Sequence, residues 1–78
     1  MEQLEKYKQA FVEIVGVTED QLPGLVYQAT DGWDSVGHMQ LMTHLEDIFG
    51  IALEMDDLLE FSSYEKGMDI IRKYGVTL

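Results

Sequence analysis

With 78 residues, 46% of them hydrophobic, the chain has material for one small domain whose core supplies on the order of a few kcal/mol of net stability, too little to line a large catalytic cleft. The absence of cysteine excludes disulfides and thiolate metal sites and suits a reducing cytoplasm. Fifteen acidic against five basic residues give a net charge of −10, and the twelve carboxylates from Glu13 to Glu65 lie in an interval without a single Lys or Arg. The middle of the chain therefore repels nucleic acid and offers one sign of field to basic partners.

Leu4, Tyr7, Phe11, Ile14 and Val15 recur at three- and four-residue steps, which predicts a first helix over about 2–15, stopped by Gly16. The opening MEQLEKYKQAF has no apolar signal core, and no stretch approaches the roughly 18 apolar residues of a membrane span, so the chain reads as soluble and unprocessed. A long connection over 16–34 follows, with turn signals at Pro23-Gly24 and Asp31-Gly32. Such a loop in so small a domain is expected to be packed down or functional. Leu22, Leu25, Val26 and Tyr27 are candidates to pin it, and Thr18 with Gln21 can cap a short turn within it.

The second helix is expected over 35–49, with Val36, Met39, Met42, Leu45 and Phe49 on one stripe and Leu41 and Ile48 beside it, ended by Gly50. Gly37 in its first turn costs about 1 kcal/mol against alanine in intrinsic propensity. A short third helix is expected over 55–60 with Leu58 and Leu59 inward. Ser62 then opens S-S-Y-E, whose serine hydroxyl and Glu65 carboxylate can form a capping box. A fourth helix over about 63–74 would bury Tyr64, Met68, Ile71 and Tyr74. No repeat or alternating strand pattern interrupts this order. The fold class is all-α, a small four-helix bundle of three main helices and one short one, with a long first loop.

The stretch D-G-W-D-S-V-G-H-M-Q-L over 31–41 concentrates the chemistry. A serine nucleophile at Ser35 lacks half of the G-x-S-x-G elbow, because Trp33 stands two residues before it. His38, three residues on, could touch Ser35, but an orienting buried acid and an oxyanion site have little room here, and His38 reads as a surface side chain. A calcium loop begun at Asp31 or Asp34 would need glutamate where Met42 and Leu45 stand. His44 and Asp47, even with Asp56 or Asp57 nearby, fall short of a zinc site. Met39, Met42, Met55 and Met68 at helical spacing read as core. Asp34 or Ser35 can be the N-cap of the second helix, or the serine oxygen can carry a phosphate ester, which a helix N-terminus favours.

A loop ending in D-S before a hydrophobic residue opens an amphipathic helix that closes L-E-D-I-F-G-I. A short acidic helix and the S-S-Y-E-K start of the last helix follow. Together these resemble the acyl carrier proteins and their aminoacyl and peptidyl relatives, without a gap from Asp34 to about Arg72. The resemblance implies 4′-phosphopantetheine esterified to Ser35, flanked by Asp34, with an acyl or aminoacyl cargo held as a thioester. It implies a carrier, not an enzyme: a stand-alone cytoplasmic monomer working in a fatty acid, polyketide or other specialised biosynthetic pathway. Its partners would be a phosphopantetheinyl transferase and acyl or aminoacyl ligases, transferases or synthases with basic docking patches. The docking face would comprise Val36, Met39, Glu46, Asp47, Asp56 and Asp57. Trp33, Val36, Gly37 and His38 depart from the pattern of fatty acid synthesis, and Gly67 could leave room for an acyl chain. The rival reading is an acidic helical adaptor that binds a basic protein, with Ser35 only a cap.

Overall fold

The structure, a computed structural model, describes residues 2–78. Helix α1 spans Glu2–Ala10 and widens over Phe11–Val15 into π-helical turns, so the rod expected over 2–15 changes pitch at Phe11. The wider turn keeps Phe11 and Val15, four residues apart, on the buried side. Gly16, at φ 80°, turns the chain left-handed and donates its N–H to the Phe11 carbonyl at 3.2 Å.

The long connection is packed down, as its length requires. Thr18 N–H donates to the Gln21 side-chain oxygen at 2.9 Å around a short 3₁₀ turn over Glu19–Gln21, and Leu22 and Leu25 are buried. Val26 does not pin the loop through its side chain, which is exposed; its backbone makes an isolated antiparallel bridge to Ser63. Tyr27 N–H donates to the Ser62 carbonyl at 2.9 Å, and Tyr64 N–H to the Leu25 carbonyl at 2.8 Å. Trp33, at the loop's far end, is fully buried.

Helix α2 spans Ser35–Phe49 and buries Gly37, Leu41, Met42 and Leu45. Val36 and Met39, expected on the inner stripe, are instead 66% and 53% exposed. The cause is the loop: its backbone lies against the first turn of α2 so closely that a Cβ on Gly37 would strike the Gly32 carbonyl. The buried stripe therefore starts at Gly37. Helix α3 spans Met55–Glu60, and here Leu58 is half-buried while Leu59 is 76% exposed and Met55 points outward with it. Of the four methionines read as core, only Met42 is fully buried.

Helix α4 spans Tyr64–Lys73 and buries Tyr64, Gly67, Ile70 and Ile71. Its N-cap is Ser63, whose hydroxyl accepts the Lys66 N–H at 3.0 Å. The expected box of Ser62 and Glu65 does not close: the cap lies one residue later, and the Glu65 carboxylate accepts the Gly24 N–H at 3.0 Å from across the bundle. Four helices and no strand among the described residues make the all-α bundle. None of these helices is long and apolar enough to cross a membrane.

The core is aromatic where the helices meet. The Tyr7 ring lies 5.1 Å from Phe11 and 5.2 Å from Tyr64, centroid to centroid, and its buried hydroxyl donates to the Tyr64 carbonyl at 2.7 Å. Burial pushes this phenol far above its usual pKa, so it is neutral in the fold. A Cβ on Gly67 would overlap both the Phe61 ring and the Tyr7 hydroxyl. Close helix packing thus accounts for Gly67, and the space considered for an acyl chain is filled. Gly67→Ala is expected to lower stability by about 1–3 kcal/mol through overpacking, seen as a lower urea midpoint at an unchanged m-value.

Candidate functional site

Asp34 precedes α2 in an extended conformation, φ −99° and ψ −170°, and its Oδ1 accepts the Gly37 N–H at 2.8 Å. Its carbonyl accepts the first helical bond, from His38 N–H, at 2.8 Å. Of the two candidate caps the fold uses the aspartate. Ser35 is left as the first residue of the helix, exposed and released from capping duty. The amides of Ser35 and Val36 have no carbonyl one turn back to bond, and they sit at the positive end of a helix of 15 residues. A phosphate on the Ser35 oxygen fits these groups, with solvent on its outer side and no acidic residue in the first turn to repel it.

His38 is not the surface side chain expected from sequence. Trp33 Nε1–H lies 3.0 Å from His38 Nδ1, and His38 Nε2 lies 2.9 Å from the Leu58 carbonyl. An indole nitrogen only donates and a carbonyl only accepts. The imidazole must therefore accept at Nδ1 and carry its proton on Nε2. With both nitrogens engaged, it has none to offer Ser35 as a base, which removes the structural footing of the nucleophile reading.

The carboxylates expected on one docking face divide into two groups. Asp47 and Asp56 are exposed, as are Val36 and Met39. Glu46 is half-buried and its Oε2 accepts the Leu53 N–H at 2.8 Å, which closes the link between α2 and α3. Asp57 is only 5% exposed. Lys73 Nζ donates to its Oδ1 at 2.6 Å and the Tyr74 hydroxyl donates to its Oδ2, while Glu54 N–H donates to the same Tyr74 oxygen at 3.0 Å. Glu46 and Asp57 are therefore braces and not free docking charges. His44 approaches Glu13 of α1 at 3.9 Å, and His44, Asp47 and Asp56 do not gather into a metal-binding group among the described residues.

Residues 31–66 match the family model of the phosphopantetheine attachment site. The match is consistent with the acyl carrier protein family. The match runs from Asp31 in the loop, through α2 and α3, to Lys66 in the first turn of α4. No curated protein and no solved structure matches the chain at a significant level. Proteins of that family hold cargo and leave the chemistry to other proteins, and the matched segment is where they attach their prosthetic group, 4′-phosphopantetheine.

The Asp57 brace also gives the fold a pH dependence. Hydrogen bonds from Lys73 and then Tyr74 hold the Asp57 carboxyl below its ordinary pKa. A depressed carboxylate stabilises the fold fully above its unfolded pKa, about 4, and the contribution is lost as pH falls through the folded value. Thermal midpoints measured from pH 7 downward are expected to fall in that acid window. Asp57→Asn is expected to lower the midpoint at pH 7 and to flatten the acid slope.

Proposed function

We propose that the Ser35 hydroxyl is the attachment point of the 4′-phosphopantetheine arm, and that the loaded protein shuttles acyl or aminoacyl groups between enzymes of a fatty acid, polyketide or other specialised pathway in the cytoplasm. The observation that carries this reading is the division of labour at the mouth of α2: Asp34 caps the helix, and the exposed Ser35 lies within the matched segment. In the loading step the Ser35 oxygen forms a bond to the phosphorus of the donor's pantetheine phosphate. The bond between that phosphorus and the donor's leaving group breaks, and the serine proton passes to a base supplied by the transferase. When bound, the arm supplies a thiol that holds cargo as a thioester.

The side chains free to meet a partner are Val36 and Met39 on α2 with Asp47, and Asp56 on α3. The two apolar groups offer a small anchor, and the carboxylates orient and speed encounter with basic patches on a transferase, ligase or synthase without tight binding. A carrier that acts as a monomer and changes partners needs that balance, because a larger apolar contact would hold it.

Co-expression with a broad phosphopantetheinyl transferase, followed by intact mass measurement, is expected to show one phosphopantetheine increment, absent in Ser35→Ala. An unchanged mass on a folded parent would overturn the carrier reading in favour of an acidic adaptor. Asp47→Lys with Asp56→Lys is expected to slow loading by about tenfold at low salt and less at high salt. The thermal midpoint should stay near that of the parent, because exposed charges contribute little to stability. Equal loading rates would take these two carboxylates off the docking face.

A further inference from the structure

The bridge from Trp33 through His38 to Leu58 joins the loop that leads into Ser35 to α3. Trp33 ends the long loop and lies two residues before Ser35; its amide donates to the Thr30 carbonyl and its carbonyl accepts the Gln28 N–H, so the indole is tied to the loop's last turn. His38 stands one turn into α2. Leu58 belongs to α3, a helix of six residues that is too short to persist without tertiary support. Its carbonyl is one of the last four in that helix, which have no partner within it. The imidazole fills that vacancy from one nitrogen and takes up the buried indole N–H with the other. Tyr27 and Phe61, with ring centroids 5.1 and 6.0 Å from the imidazole, wall the bridge from its sides. Helix α3 is also held by the Lys73 and Tyr74 bonds to Asp57, so removal of His38 takes away one of its few polar ties to the rest of the fold.

We infer that His38 is a positioning residue that sets Ser35 and the exposed face of α3 in one arrangement for the loading enzyme. This rests on the reading of Ser35 as the attachment point. The imidazole never touches the reacting atoms; it acts through Trp33 and α3.

The test uses His38→Leu, which fills the space without either hydrogen bond, and His38→Gln, whose amide oxygen can accept from the indole while its nitrogen donates to Leu58. Loading by a phosphopantetheinyl transferase is measured by mass over a range of carrier concentrations, together with hydrogen exchange of the α3 amides. His38→Leu is expected to lose about tenfold in kcat/KM, carried by KM, and to exchange faster in α3, while His38→Gln stays within about twofold of the parent. Trp33→Phe, which removes the donor at the other end and keeps an aromatic ring, is expected to repeat the loss and stands in for His38→Leu should that variant not fold. Parental kinetics in a folded His38→Leu or Trp33→Phe would overturn the inference, as would a His38→Gln no better than His38→Leu. A parent that takes no phosphopantetheine sinks the carrier reading instead. The positioning of α3 is then judged on exchange alone, where faster exchange in His38→Leu but not in His38→Gln supports it and any other pattern overturns it.

Discussion

The burial of Trp33 is the constraint on which the site depends. Its indole meets Phe11 edge-on at 5.3 Å and Tyr27 at 6.1 Å, and it brings the end of the long loop into the core between α1 and α3. A loop over 16–34 would otherwise be free to take many conformations, each residue of which costs about 1–2 kcal/mol to fix. Anchoring one large aromatic at its far end fixes the entry to α2, and with it the orientation of Asp34 and Ser35. The indole N–H cannot be buried without an acceptor, and His38 supplies one. Core packing and site geometry are thus one arrangement.

The acidity of the chain serves two purposes that its sequence does not separate. Glu46, Glu65 and Asp57 accept hydrogen bonds from groups distant in sequence: the Leu53 amide, the Gly24 amide, and the Lys73 and Tyr74 side chains. These carboxylates replace contacts that a small apolar core cannot supply, and each holds a loop or a short helix in place. Asp47 and Asp56 remain in solvent, where a charge contributes little to stability and its field reaches a partner. The outward Val36, Met39, Met55 and Leu59 are likewise apolar groups that the core did not take. A molecule with net charge −10 tolerates them on its surface because repulsion between copies opposes association through them.

How much could be read in advance follows from the range of each interaction. The periods of three and four residues placed α2 over Ser35–Phe49 and α3 over Met55–Glu60, and the glycines after the first two helices marked their ends, because helix formation and termination depend on residues within one turn. The same periodicity misplaced Val36, Met39 and Leu59. A helix pattern reports which residues share a face, and it does not report that a loop backbone will cover the neighbouring face at Gly37 and leave Val36 and Met39 in solvent. His38 was misread for a related reason, since its two partners lie five and twenty residues away and carry no local signal. A buried tryptophan with an N–H to satisfy, close to a histidine, was the one clue available.

Composition, charge and helical periodicity, all local or additive properties, determined from the sequence that the chain is an acidic all-α bundle with a D-S pair at the mouth of its second helix. Only the tertiary structure decided that Asp34 rather than Ser35 caps that helix, that Glu46 and Asp57 brace the fold while Asp47 and Asp56 stay free, and that His38 links the loop to α3. The reason is physical: a carboxylate or an imidazole can meet many donors or acceptors with nearly equal local preference, and the choice among them is made by which groups the packing of distant segments brings within about 3 Å.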